Sequence, residues 1–301
     1  MNRTARFGAA GIGLAAVCAA ALMIPAIANG SARDTLGATQ PAAAAAKPYL
    51  AMLSGANEVP AGSGDPDGEG AAAVTIDPGN NEVCIDMRVA NLDPVTAAHI
   101  HLAPAGSNGD VVVPLGMSFP NLPTPTSANC VLVDPARIAD MIANPANYYV
   151  NVHTTAFPLG AIRGQLALSA SSSGMARLLD EPLRAYDSRL TTDGKVTAGT
   201  TRVISVGTGV DGAGVRHIAV PPGATGAVLR VTLDQTEGAG FLTVYSNALA
   251  NRPATSNVNW YEPGAIVGAD PTVAVDAQAM IKVFAGVNST HVIIDVVGFV
   301  F

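Results

Sequence analysis

Charged side chains are scarce in this 301-residue sequence, where Lys, Arg, Asp and Glu together make up only 13%. There are 16 basic residues against 23 acidic ones, so the formal net charge is −7 at pH 7. Nucleic acids and anionic membrane surfaces are both bound through clusters of Lys and Arg. The shortage of basic residues therefore argues against a nucleic-acid or membrane-surface partner.

Long polar helix-forming stretches are also lacking, whereas turn-forming residues are abundant. The chain has 31 glycines and 21 prolines, which interrupt helices and favour turns. Between them lie short runs rich in β-branched or alternating apolar residues, which is the pattern of strands. We predict an all-β protein with two antiparallel β-sandwich or barrel-like domains and one short helix in the first.

The first residues have the features of an export signal. Arg3 and Arg6 precede an apolar run at 7–24, and Ala26–Ala28 offers a small-x-small cleavage pattern. We predict that residues 1–28 are a signal peptide, that the mature chain has no membrane span, and that it is secreted or associated with the cell wall. An uncleaved anchor is the alternative, because the apolar run is close to the length of a spanning helix.

Two stretches without strand patterning divide the rest of the chain. Residues 29–48 are rich in alanine, and residues 169–176 are rich in serine and glycine. We predict that both are flexible linkers. The first linker precedes a first domain at 49–168, and the second linker joins it to a second domain at 177–301. The single helix is predicted to begin after Asp134, a good N-cap that is followed by proline.

Cysteine is nearly absent, with three residues in the whole chain. Cys18 lies in the predicted signal peptide, which leaves Cys84 and Cys130. In an exported protein such a pair most simply forms a disulfide. By the chain-entropy model, a disulfide that closes the loop from Cys84 to Cys130 stabilises the folded protein by about 4 kcal/mol. Two free thiols are the alternative.

Histidine is scarce as well, yet three of the five histidines lie in two strand-like runs. His99 and His101 belong to "AAHIHL", and His153 ends "YYVNVH". Because side chains alternate along a strand, these three face away from the side occupied by Ile100 and Val152. If the strands are neighbours, the rings converge on one outer surface.

Such a cluster has the chemistry of a metal site. Residues i and i+2 on a strand lie about 6.6–7 Å apart, so two rings can reach one ion at about 2.0–2.1 Å. Ligation by imidazole alone suits copper or zinc. We therefore predict a copper or zinc site at His99, His101 and His153. A solvated polar face without a metal is the alternative.

Other polar residues give weaker signals. His217 and His291 each stand alone in a strand-like run of the second domain, and we predict that they are ordinary strand residues. Glu58 and Arg163 come from the two ends of the first domain, and we predict a structural ion pair between them.

Four motifs of the first domain carry a family resemblance: "LSGANEVP" (Leu53–Pro60), "AAHIHLAPAGSNGDVVVPL" (Ala97–Leu115), "NPANYYVNVHT" (Asn144–Thr154) and "FPLGAIRGQL" (Phe157–Leu166). With these motifs in order, the domain resembles the CHRD (chordin-type) domain along nearly its whole length. The resemblance implies a β-sandwich or barrel-like domain that occurs in exported bacterial proteins and in chordin, which binds growth factors outside cells. No enzymatic activity comes with the family.

The histidine pattern is also similar to that of copper/zinc superoxide dismutase, which has a His-x-His strand and a later Val-x-His strand around copper. That similarity implies that His99, His101 and His153 are copper ligands. The fourth copper histidine and the zinc ligands of that family have no counterpart here, which argues against redox catalysis.

Three stretches of the second domain carry a resemblance: "RLLDEPLRAYDSR" (Arg177–Arg189), "GFLTVYSNALANRPATSNVNW" (Gly240–Trp260) and "STHVIIDVVGFVF" (Ser289–Phe301). With them the domain looks like a β-rich module common in exported actinobacterial proteins. That likeness implies a surface or secreted setting, with adhesion or glycan contact. Trp260 and Tyr261, next to the polar residues of "SNVNWY", are candidates to stack on such a ligand, whereas a lone tryptophan is more often a core residue.

Two functional classes are consistent with the sequence. The first is an exported cell-envelope or secreted binding protein that has no catalytic activity and whose partner is an extracellular protein or a glycan. The second is a copper- or zinc-binding metalloprotein that uses the three histidines.

Overall fold

The computed structural model describes residues 45–116, 126–169 and 174–301. The predicted signal peptide, most of the predicted linker at 29–48 and the middle of the predicted linker at 169–176 lie outside the described residues. Residues 43–301 form one compact unit, and two separate hydrophobic clusters form within it.

The first of these clusters lies inside one nine-stranded, nearly closed, barrel-like sheet. Its strands are β1 (Lys47–Ser54), β2 (Glu69–Asp77), β3 (Glu82–Ala90), β4 (Val95–Leu102), β5 (Asp110–Pro114), β6 (Thr126–Leu132), β7 (Tyr148–Thr154), β8 (Ile162–Gln165) and β9 (Ala167–Leu168). The strand order is β5-β4-β7-β8-β1-β2-β3-β6, and β9 also pairs with β1. All the pairs are antiparallel, as the short connections require.

Strand β1 shows where the predicted organisation was inaccurate. It begins at Lys47, inside the predicted linker at 29–48, and it pairs along its whole length with β2. Tyr49, Ala51 and Leu53 point into the core. The start of this strand was not predicted because it directly follows an alanine-rich stretch that lacks strand alternation.

The predicted helix is confirmed as α1 (Pro135–Ala143). The Asp134 carboxylate accepts a hydrogen bond from the backbone N–H of Ala136 at 2.8 Å, and Pro135 occupies the first helical position. Ile138 and Met141 bury one face of the helix against the core of the barrel-like sheet.

The second cluster lies between two further antiparallel sheets. One has the order β13-β12-β10-β20-β14-β17, with β18 also on β14, and the other has the order β11-β19-β15-β16. Their strands are β10 (Ala176–Asp187), β11 (Thr201–Ser205), β12 (Thr208–Val210), β13 (Arg216–Ile218), β14 (Gly226–Asp234), β15 (Gly240–Ser246), β16 (Val258–Trp260), β17 (Val267–Ala269), β18 (Thr272–Ala274), β19 (Met280–Gly286) and β20 (His291–Val300).

Together the three sheets confirm the all-β class. The apolar strand β20 runs between β10 and β14, as expected for a sequence with so few polar positions. Its Ile294 and Val296 are fully buried, as are Ile281 and Val283 of β19 in the other sheet. The division into domains at 49–168 and 177–301 stays a prediction.

The predicted disulfide is confirmed. Cys84 of β3 and Cys130 of β6 are directly paired in the antiparallel ladder, and their sulfurs are bonded. Because β6 is the last strand in the order of this sheet, the bond fixes that edge to its neighbour.

His217 is more than an ordinary strand residue. Its Nδ1 lies 2.9 Å from an oxygen of Glu69 on β2, and its Nε2 lies 3.3 Å from an oxygen of Asp211. Burial alone lowers the pKa of His217, but the hydrogen bonds to both carboxylates outweigh it and raise the pKa above its ordinary value. When it is protonated, His217 donates from both ring nitrogens, to Glu69 of β2 and to Asp211, and so links the barrel-like sheet to strand β13.

We expect the disulfide to contribute to stability in the oxidised protein. Replacing both cysteines, Cys84→Ser with Cys130→Ser, should lower the free energy of unfolding by up to about 4 kcal/mol, because the unfolded chain regains the freedom of the closed loop. Urea denaturation measures this. The wild-type protein with a reductant should match the double variant, and equal stability of all three samples would contradict the expectation.

We expect His217 to stabilise the fold chiefly in its protonated form. Since its folded pKa is raised, the benefit is complete below the unfolded pKa of about 6.5 and is lost as the pH rises through the folded pKa. His217→Gln should therefore lose about 1 kcal/mol at pH 5.5 and nothing well above that range, as measured by denaturation at each pH. His291→Gln is the control, because the pKa of His291 is lowered, mainly by burial. A deficit that grows with pH would refute the expectation.

Candidate metal site

Strands β4 and β7 bring the three predicted ligands together. They are neighbours in the barrel-like sheet, and the register opposes His99 to Asn151 and His101 to Tyr149. His153 lies opposite Ala97, two pairs further along the ladder from the pair of His99 and Asn151. The predicted condition for a cluster, two adjacent strands in one sheet, is therefore met.

The alternation of side chains sets which face carries the histidines. Ile100, Val150 and Val152 have no exposed surface and belong to the core. His99, His101 and His153 alternate with these residues and lie on the opposite face of the sheet. The predicted strand phase is confirmed.

The face that carries the histidines is largely covered, which differs from the solvated polar face that the sequence left as the alternative. His101 is only 8% exposed, and Tyr149, Asn151 and Arg163, which share the face, are exposed by 2–3%. Loop segments cover this part of the sheet, and we call the covered side chains the polar layer. The polar layer consists of Glu58, His99, His101, Tyr149, Asn151, His153 and Arg163.

Arg163 ties the covering loops to the sheet. Its guanidinium donates to the carbonyls of Asn57 at 2.6 Å and Ser107 at 3.2 Å, and to Oδ1 of Asn108 at 3.0 Å. It also lies 4.6 Å from the ring centre of Tyr149. These contacts join the loop after β1 to the loop after β4 and hold both over the polar layer.

The ring nitrogens are close enough to share one ion. Nδ1 of His99 lies 3.1 Å from Nε2 of His153, and one nitrogen from each of the three rings lies within 4.8 Å of the others. In a tetrahedral site with bonds of about 2.0–2.1 Å, two ligand nitrogens lie about 3.3 Å apart. One pair already has this spacing, and the third ring needs a movement of about 1.5 Å at most.

Backbone carbonyls select the tautomers of two of the rings. Nδ1 of His101 lies 3.0 Å from the carbonyl of Gly109, and Nδ1 of His153 lies 3.1 Å from the carbonyl of Pro158. Since a carbonyl only accepts, both Nδ1 atoms carry the proton and both Nε2 atoms present a lone pair. Metal-binding histidines in proteins are oriented in the same way.

The position of Gly109 depends on its having no side chain. A Cβ there would lie 2.0 Å from the carbonyl oxygen of Leu102. Glycine therefore allows the chain after β4 to fold back closely enough for its carbonyl to reach His101. The ring of His101 also stacks on Tyr149, with centroids 4.9 Å apart and planes 10° apart.

The surroundings favour neutral imidazoles. Burial lowers the pKa of His99, and the neighbouring His153 and His101 lower it further. Burial also lowers the pKa of His153, against a smaller opposing effect of the Pro158 carbonyl. These lowered pKa values favour the uncharged form of both rings, which is the form that binds metals.

Glu58 is an unexpected member of the polar layer. Its carboxyl is 4% exposed, and burial raises its pKa to about 7, although Arg163, the Val59 backbone and the Asn151 amide favour the charged form. A Cβ on Gly160 would lie 2.7 Å from this carboxyl. The predicted ion pair was wrong: among the described contacts, no Glu58 oxygen lies within 4.0 Å of an Arg163 nitrogen.

Tyr149, Asn151 and Glu58 are members of the polar layer that were not predicted as parts of the site. Asn151 and Tyr149 alternate with Val150 and Val152 as His153 does, so the rule that selected the histidines selects them as well. Glu58 gave no such signal, because a loop carries it.

The second predicted contact site is only half present. Trp260 is 1% exposed and belongs to the core of the second cluster, whereas Tyr261 is 86% exposed. Trp260 is therefore not available for stacking on a ligand, and its core position, which the sequence favours for a lone tryptophan, is confirmed. Trp260 is the last residue of β16, and Tyr261 follows the end of that strand.

The comparison with known families gives a match within the first part of the described chain. Residues 49–166 match the family model of the CHRD domain. This segment contains the whole polar layer. No curated protein matches the chain.

We expect Glu58 to destabilise the fold when it is ionised. Its raised pKa means that the cost is absent below about pH 4.5 and complete above about pH 7. Glu58→Gln should therefore be more stable than wild type at pH 8, by up to roughly 3 kcal/mol, and equal to it at pH 4. Denaturation at both pH values measures the difference. Glu262→Gln, at an exposed carboxylate, should change neither value, and a less stable Glu58→Gln at pH 8 would contradict the argument.

Proposed function

We propose that this protein is an exported binding protein whose CHRD domain binds one zinc or copper ion through His99, His101 and His153. The observation that carries the proposal is the cluster itself. Three ring nitrogens lie within 4.8 Å of one another. In His101 and His153, Nδ1 is hydrogen-bonded to a backbone carbonyl, so the lone pair that can bind the ion is on Nε2.

The metal-free arrangement needs little change to accept the ion. His153 presents a lone pair on Nε2, so the 3.1 Å contact is a hydrogen bond donated by Nδ1 of His99. Binding through that Nδ1 requires the proton to move to Nε2 of the same ring. The lowered pKa values of His99 and His153 mean that protons compete with the metal only below about pH 6.5.

The donor set narrows the metal to two candidates. Imidazole ligation suits zinc and copper, whereas magnesium and calcium take oxygen ligands. Among the described residues, no carboxylate or thiol joins the three histidines within the same distance.

The proposed location rests on separate observations. CHRD domains are typically extracellular, and a disulfide such as Cys84–Cys130 persists in oxidising compartments. The start of the chain, with two arginines before an apolar run, resembles an export signal. Among the described residues, no helix is both long and apolar enough to cross a membrane. The proposal is for binding and includes no catalytic step.

We expect the metal-free protein, prepared without a histidine tag, to bind one equivalent of Zn²⁺ or Cu²⁺. His153→Ala removes one of three ligands and should weaken binding by at least about a hundredfold, because even the loss of an outer-shell partner costs 10–100-fold. Calorimetric titration followed by metal analysis measures both numbers.

The control is His291→Ala, the same change at a histidine outside the cluster, and it should bind like wild type. Saturating metal should also raise the unfolding midpoint of wild type and of this control, since the ion binds the folded state. The proposal is rejected if neither Zn²⁺ nor Cu²⁺ binds, or if His153→Ala keeps the wild-type affinity.

A further inference from the structure

Asn151 lies in the middle of the three histidines, so any role for it in metal binding rests on the metal site proposed for them. Asn151 is directly opposite His99 in the ladder, is two residues before His153 on the same strand, and is diagonal to His101. Opposite residues have Cβ atoms about 4.5–5.5 Å apart, and diagonal neighbours about 7–8 Å apart. All three rings are therefore within reach of the Asn151 side chain.

The carbonyl oxygen of this side chain has no hydrogen-bond partner among the described residues. Asn151 is 3% exposed, and its Oδ1 is fully buried without a donor. The Asn151 side chain also favours the charged form of the Glu58 carboxyl, as an amide N–H directed toward that carboxyl does. A buried acceptor of this kind is costly unless a donor reaches it.

In the metal-free protein, the Nδ1–H groups of the three imidazoles do not supply that donor. The Nδ1 protons of His101 and His153 go to the carbonyls of Gly109 and Pro158, and that of His99 goes to His153. Nε2 of His101 is itself buried and unpartnered. An acceptor and a lone pair thus stand in the same small region.

The described residues also leave the proposed metal one ligand short. Zinc takes four ligands in structural sites, and a site with three protein ligands has its fourth position filled from outside. Three neutral imidazoles leave the charge of the ion uncompensated, which favours an oxygen ligand that ionises readily or an anion.

We propose that an exchangeable oxygen ligand that carries a proton, water or hydroxide, takes the fourth position and donates to Oδ1 of Asn151. Asn151 is a positioning residue in this arrangement, and Glu58 fixes the direction of its amide. In this arrangement the oxygen ligand enters beside His153, which is partly exposed, on the side of the loop after β7 where Pro158 and Leu159 are exposed. A small anion that coordinates but cannot donate a hydrogen bond, such as azide, should displace the oxygen ligand.

The test uses the full mature chain loaded with Co²⁺, whose visible absorption reports its ligands. We expect one equivalent of Co²⁺ to bind, and we expect azide to change the visible spectrum in a saturable way. If no Co²⁺ binds, the metal site and this inference are both overturned. If Co²⁺ binds but azide leaves the spectrum unchanged, the fourth position is closed, and only this inference is overturned.

The role of Asn151 has its own test. Asn151→Leu keeps the size of the side chain but removes the acceptor, so the oxygen ligand is held less firmly and azide should bind between about two- and tenfold more tightly. Asn151→Ala should show the same direction and serves if the leucine variant folds poorly. Asn259→Leu, at an exposed strand position, should keep the wild-type azide affinity. An unchanged azide affinity in a folded, Co²⁺-loaded Asn151 variant would overturn the role of Asn151.

Discussion

The burial of one face of β4 and β7 is the constraint on which the candidate site depends. Ile100, Val150 and Val152 are completely buried, and because side chains alternate, the residues between them have only the other face available. A slip of one residue in either strand would exchange apolar and polar residues across the sheet. The hydrophobic core thus sets the positions of the histidines without touching them.

This constraint is local, which is why the sequence predicts it well. Alternation in "AAHIHL" and "YYVNVH" gives the faces, and the cap at Asp134 gives the helix. Strand β10 was not predicted, because its charged residues and Pro182 disturb the alternation, and its pairing with β20 shifts register twice. The position of β10 in the sheet depends on its pairing with β20. The sequence of β10 alone does not specify that pairing.

The covering of the polar layer by loops was not predicted either, because it also depends on contacts between segments that are distant in the sequence. Arg163 is predicted to pair with Glu58, yet its guanidinium is buried by loops from two other parts of the chain, whose carbonyls accept its hydrogen bonds. The same covering lowers the pKa of His99 and raises that of Glu58. A pattern within one strand predicts a face, whereas the environment of that face depends on contacts between distant residues.

The buried polar atoms that lack hydrogen-bond partners favour a polar layer that binds a ligand over one with only a structural role. The described residues contain seven buried side-chain atoms without a hydrogen-bond partner, and four of them lie in the polar layer. Each such atom costs about 1–3 kcal/mol, so a fold selected for stability alone would pair them or replace them with apolar groups. An ion on Nε2 of His101 and a proton donor at Oδ1 of Asn151 would satisfy two of the four atoms at one place. The four atoms in question are Oε1 of Glu58, Nε2 of His101, Oδ1 of Asn151 and Nη2 of Arg163.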